Sequence, residues 1–285
     1  MKRAQLSALL ISAVALSLGA CSKQEAVTLT ESPAPGAPVA VSGSVDLSAE
    51  TAAYQAWVEG QIDGLLGETQ KFVTALNAGQ VDEAKRLYAP TRMYFERSEP
   101  VAESFGDLDP RIDNREADLE KDEKWTGFHP IEKILWLEHT TKGTEKLSVQ
   151  LLNDIKELRA KIPTAEVTGE LMVQGAVDLL NEVSTSKISG EEEIYSHTDL
   201  FDFKANIEGA EKIFDIFKPK LEAKSPALVA TLTDKFAAVN ALLETHRMGD
   251  GFKLYTQLKP SDTKALAEAV NKLGEPLAQM GVILQ

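Results

Sequence analysis

The chain has 285 residues, a formal net charge of −14 and a single cysteine. That acidity excludes the basic footprint nucleic acid requires and argues against polybasic contact with anionic lipid, while one cysteine excludes any intrachain disulfide. With 43% apolar residues, the chain is long enough to bury one large core or two lobes.

Lys2 and Arg3 precede an apolar stretch, Leu6 to Ala20, that ends in Leu18-Gly19-Ala20-Cys21. This stretch is too short to span a bilayer comfortably as a helix, but it suits the hydrophobic region of a secretory signal. Cys21 after Leu-Gly-Ala resembles a bacterial lipobox, so residues 1–21 are expected to be a lipoprotein signal peptide. Cys21 is then the lipidated first residue of the mature chain and its membrane anchor. Ser22 gives no inner-membrane retention cue, which leans towards an outer membrane. Residues 22–46, including Ser32-Pro33-Ala34-Pro35-Gly36-Ala37-Pro38, are too poor in large apolar groups to build a core and are expected to be a disordered tether. The folded body is expected over residues 47–285, and loss of Lys2 and Arg3 takes the formal charge from −14 to −16.

Within the body, Tyr54, Trp57, Val58, Ile62, Leu65, Leu66, Phe72, Val73 and Leu76 follow a 3.6-residue stripe that Asn77-Ala78-Gly79 ends with a glycine stop signal. Further helical stripes run over Leu147 to Ile162, Leu171 to Val183, Glu192 to Phe217, Pro226 to His246 and Ser261 to Met280. No segment alternates with a period of two. The pattern predicts an all-α body of antiparallel bundles.

Three acidic clusters carry the chemistry. Arg92, Glu96 and Glu99 fall on one helical face; a common surface ion pair is the simpler reading of them. In Gly127-Phe128-His129-Pro130-Ile131-Glu132, imidazole and carboxylate stand three residues apart, a spacing at which two helical side chains can converge on one cation. The competing reading makes His129 the N-cap, Pro130 the first helical residue and Glu132 the carboxylate of a capping box. In Ser189 to Asp199, Ser189 and Glu192 again match a capping box, and Glu192, Tyr195 and Asp199 line one face of the expected helix. His197 points elsewhere. The segment Asp107 to Asp113 is not an EF-hand loop, because Arg111 and Ile112 stand where an oxygen ligand and glycine are needed; Asp113, Arg115 and Glu116 nevertheless lie within reach of His129. No Gly-x-Ser-x-Gly, Walker or dinucleotide fingerprint occurs.

Gly127 to Trp136, together with Tyr88-Ala89-Pro90-Thr91-Arg92, Glu96-Arg97-Ser98-Glu99-Pro100, Lys187 to Glu192 and Thr198-Asp199-Leu200, closely resembles the imelysin-like domain of EfeO and EfeM proteins, over essentially all of residues 47–285. The resemblance implies two lobes of antiparallel four-helix bundle. It also implies an iron-uptake role alongside an inner-membrane permease and a haem-peroxidase-like periplasmic partner, in the periplasm of a Gram-negative bacterium. Longer EfeO proteins carry a cupredoxin-like domain where this chain has only the tether, so it looks like the short EfeM type. The resemblance implies metal binding by His129 and Glu132, with Glu96, Glu99, Asp113, Glu192 and Asp199 as neighbours. A mostly carboxylate site with one imidazole suits ferric or ferrous iron and admits zinc or copper. Two other classes remain open. The family name points to a metallopeptidase, but residue 133 is lysine where His-Glu-x-x-His needs its second histidine, so peptidase activity is not expected. A cation-dependent binder of acidic polysaccharide would need aromatic and basic residues lining a cleft.

Overall fold

The computed structural model describes residues 45–285; the expected signal peptide, Cys21 and all but the last two residues of the expected tether lie outside them. The body is all-α. Its long helices are α1 (Ser48–Asn77), α2 (Val81–Ala102), α5 (Glu145–Lys161), α6 (Gly169–Glu182), α7 (Asp199–Lys224), α8 (Pro226–Glu244) and α9 (Pro260–Ile283). Two short helices, α3 (Leu108–Asp113) and α4 (Phe128–Lys133), lie between α2 and α5. Among the described residues the only strands are β1 (Arg247–Met248) and β2 (Gly251–Phe252), an antiparallel ribbon.

α1 illustrates how sequence sets these boundaries. It buries Tyr54, Val58, Ile62, Leu65, Phe72 and Leu76 at helical spacing. It ends where Gly79 takes φ +72°, with Gln80 N donating to Ala75 O and Gly79 N to Leu76 O. That bond pair is the Schellman arrangement, in which a glycine without Cβ strain closes the orphan carbonyls.

α1 packs on α2 and α5, while α6, α7, α8 and α9 pack on one another; α2 joins the two groups by lying along α7 and α6. One continuous apolar core runs through both groups. The α2–α7 contact is close because Gly209 faces the Arg97 carbonyl, where a Cβ would stand 2.8 Å from the oxygen. This contact brings the polar residues of α2 and the start of α7 into one buried space.

The expected helix from Glu192 begins only at Asp199, and residues 191–198 are bends, one turn and irregular backbone. The physical reason is competition for backbone donors. Glu193 N donates to Asp199 Oδ1, and Tyr195 N and Ser196 N donate to Glu132 Oε1. Side-chain acceptors thus take amides that a helix would have used. The capping box expected at Ser189 and Glu192 is absent for the same reason: no helix starts there, and Ser189 Oγ donates to Ser186 O instead.

Candidate metal centre

The centre is built around Gly127. With φ +93° it is the N-cap of α4, and a Cβ on it would stand 2.1 Å from the Ile112 carbonyl oxygen, so only glycine allows the end of α3 to lie against the start of α4. Trp125 Nε1 donating to Asn114 O and Thr126 Oγ1 donating to Arg111 O fasten the two segments. Phe128 plugs the base, packing on Phe72 and Tyr88 with the Arg92 guanidinium over its ring. Asp113 is thereby set beside His129.

Gly127, not His129, is the N-cap, and Pro130 is the third helical residue. The proline is tolerated there because amides of the first turn lack intrahelical partners. Glu132 caps nothing on its own helix. Its Oε1 accepts from Tyr195 N at 3.1 Å and Ser196 N at 2.6 Å, tying α4 to the turns before α7. Its Oε2 lies 3.4 Å from His129 Nδ1, and His129 Nε2 lies 3.6 Å from Asp113 Oδ1. His129 is 2% exposed, and its Nε2 is buried without a hydrogen-bond partner.

Ligand atoms of His129, Glu132 and Glu193 lie within 4.8 Å of one another, as do those of Asp113, His129 and Glu192, so the imidazole belongs to both groups. Glu96, Glu99 and Glu182 form a third such group. Fully buried Arg92 lies among them. Its guanidinium reaches Glu96 at 2.5 Å, Glu193 at 2.5 Å, Asp202 at 3.5 Å and Glu192 at 3.6 Å, and it also bonds Asp113. The Arg92–Glu96 pair is thus a hub of the buried cluster, not the surface ion pair of the simpler reading. Lys187 lies between Glu192 and the third group.

Burial raises the pKa of several carboxyls in and around this cluster. It pushes Glu193, Asp202 and Glu99 well above the usual carboxylate range, helped at Glu193 by Glu132 and at Glu99 by Glu182. Burial also raises Asp199 and Asp109 to about 6. In Glu132 burial is outweighed by the His129 contact, which holds it below the usual range; in Glu192 it is outweighed by Lys187, His129, Arg92 and Arg115, which bring it down to about 2. The cluster therefore sets carboxyls whose ionisation burial disfavours beside carboxyls that cationic neighbours hold ionised, and a bound cation would favour the ionised form of both.

Of the residues singled out from the sequence, His129, Glu132, Asp113 and Glu192 come together, Glu96 joins them through Arg92, and Glu99 faces Glu182 one step further out. Asp199 stands apart from these groups. It accepts from Glu193 N and so positions that residue, while its Oδ2 is buried without a partner. Tyr195 and Glu116 pair with each other at the mouth, where Glu116 also binds Lys133 Nζ at 2.6 Å. Glu193, Glu182, Lys187 and Asp202 were not singled out from the sequence. Asp202 was legible as the residue one turn beyond Asp199, whereas Glu193 was hidden by the helical reading, in which it faces away from Glu192. A cleft of about 360 Å³, lined among others by Arg115, Trp125, His129, Glu132, Glu192 and Tyr195, opens the centre to solvent.

The imelysin family profile matches residues 50–280. An Efem/EfeO family lipoprotein of Staphylococcus haemolyticus is 54% identical over 243 residues, covering 84% of this chain and 85% of the relative. One of Staphylococcus aureus is 51% identical over 245 residues, covering 84% and 86%. These relatives correct the expected location. They are lipoproteins of Gram-positive staphylococci, whose envelope has no outer membrane, and this overturns the placement in a Gram-negative periplasm. On the profile and on these identities together, the chain belongs to the imelysin family, as a lipoprotein of the EfeM/EfeO type.

Proposed function

We propose that the protein is the iron-binding component of a bacterial iron-uptake system, tethered to a membrane through lipidated Cys21 by residues 22–46 and capturing its cargo with the body from residue 47 onward. Family membership supports the uptake role. The observation that carries the binding role is His129: a buried imidazole whose Nε2 has no hydrogen-bond partner, with carboxylates of Asp113 and Glu132 facing its two nitrogens. An unsatisfied buried ring nitrogen is costly unless something takes its lone pair, and an ion bound by neighbouring carboxylates does so. Asp113, His129, Glu132 and Glu192 form the proposed primary ligand set, with Glu193 completing it and Glu96 and Glu99 leading outward. Carboxylate oxygens suit a hard cation and one imidazole suits iron. The captured ion then passes to a membrane permease, with a haem-peroxidase-like protein as the third member of the system.

The peptidase reading has less support. Lys133 occupies the position of a second histidine ligand, and its ammonium pairs with Glu116 near the surface. Nor does the basic group lining the cleft await an acidic polysaccharide, since Arg115 is held by Asp118, and nearby Lys133 is held by Glu116. Titration of the metal-free protein with iron tests the proposal: about one equivalent should bind tightly, and His129→Ala and Glu132→Ala should each weaken binding at least about tenfold, a loss of about 1.4 kcal/mol or more, with helicity unchanged. Wild-type affinity in both variants overturns it.

A further inference from the structure

Lys187 ends the π-helical turn Val183–Lys187 that follows α6, and it is 3% exposed. Its ammonium lies 3.0 Å from Glu182 Oε2, 3.3 Å from Glu192 Oε1 and 3.4 Å from Glu96 Oε2. Glu192 belongs to the group that contains His129, whereas Glu96 and Glu182 belong to the outer group. The ammonium therefore fills the gap between two sets of candidate ligands. It is a compact point charge with three donors on a flexible stem, and here three carboxylates surround it. Those oxygens are also what a hard metal ion seeks, and two cations cannot share them at contact distance without strong repulsion.

We propose that Lys187 is a tethered cation that competes with the metal for Glu96, Glu182 and Glu192, leaving this carboxylate nest as the ion enters and returning as the ion departs. The inference deepens the metal-capture reading and rests on it. Arg92 does not have this role: it is fully buried and held by acids from four separate segments of the chain. Lys187 has an exit. A cleft of about 170 Å³, lined by Lys187 with Glu99, Asp109, Asp118 and Glu182, adjoins the nest, and the Glu182 side chain is 26% exposed. The stem projects from a π turn, a widened hydrogen-bond pattern that recurs at functional sites. Gly190, at φ +78°, follows three residues later. Return of the ammonium keeps the buried carboxylates neutralised when the ion leaves, which makes release to a partner less costly than baring them.

The test measures Zn²⁺ affinity of the metal-free protein by calorimetry for wild type, Lys187→Met and Lys187→Arg. Because apparent affinity scales with the fraction of molecules in the competent state, Lys187→Met should bind at least about tenfold more tightly, and Lys187→Arg should stay within about threefold of wild type. General loss of positive charge could also tighten binding, so a second measurement separates the two causes. Reductive methylation read by mass spectrometry should leave Lys187 protected in metal-free wild type and modify it in the Zn²⁺-saturated protein, with exposed Lys71 reacting equally in both. Unchanged or weaker affinity in Lys187→Met, or continued protection of Lys187 with Zn²⁺ bound, overturns the proposal. If Lys187→Met does not fold, the wild-type methylation result decides alone. A His129→Ala variant that binds Zn²⁺ like wild type condemns the His129 site without touching the competition, whereas no Zn²⁺ binding in wild type or Lys187→Met overturns the competition and leaves the iron reading to its own titration.

Discussion

Asp199→Asn should stabilise the metal-free protein, with a gain that grows as pH rises from about 4 and is complete above about 6. Asp199 is the first residue of α7; its Oδ1 accepts from Glu193 N, while its Oδ2 is buried without a partner. Burial raises its pKa from 3.8 to about 6. Between those values the folded chain holds a proton that the unfolded chain has already lost, so stability falls as pH rises through the window and the full cost persists above it. A difference of about 2 pKa units corresponds to about 3 kcal/mol. Asparagine keeps the oxygen that accepts from Glu193 N and cannot ionise, so the variant should exceed wild type by up to about 3 kcal/mol at pH 8 and match it within about 0.5 kcal/mol near pH 4. Urea unfolding in chelator at both pH values reads this directly, with variant and wild type compared at the same pH so that other titrations cancel. An equal difference at both pH values, or a variant less stable than wild type at pH 8, refutes the reasoning.

Gly127→Ala should cost more than about 2 kcal/mol, because the added Cβ meets backbone at a positive φ; a thermal midpoint close to wild type would show that α3 and α4 need not approach so closely. Chelation should leave the far-ultraviolet circular dichroism helical, since an apolar core of this extent can be buried without an ion; a collapse would make the metal structural. Cys21→Ser should release the protein from membranes without lowering its thermal stability, and equal membrane association of both forms in fractionation would rule out the lipid anchor.

The helical body was legible because long amphipathic stripes and glycine stops act locally: Tyr54 to Leu76 with Gly79 predicted α1 to within two turns at its start and closely at its end. The candidate ligands were legible because His129 and Glu132 are three residues apart on one short helix. What local reasoning missed depends on distant partners. Nothing near Glu192 says that Glu132, some sixty residues earlier, takes the amides of Tyr195 and Ser196 and unwinds the expected helix. Glu193 came into the centre only because of that unwinding. Lys187 and Glu182 were missed because a π turn, which has no simple sequence signal, sets the direction of the lysine. Gly127 was read as part of a motif, but its role as N-cap follows from the Ile112 carbonyl on another segment.

The most direct measurement is diffraction from crystals loaded with iron, with anomalous differences collected at the iron edge. One strong peak is expected, bonded to His129 and to carboxylate oxygens of its neighbours Asp113, Glu132 or Glu192. A peak only at the Glu96, Glu99 and Glu182 group, or none anywhere in the buried cluster, would contradict the His129 site.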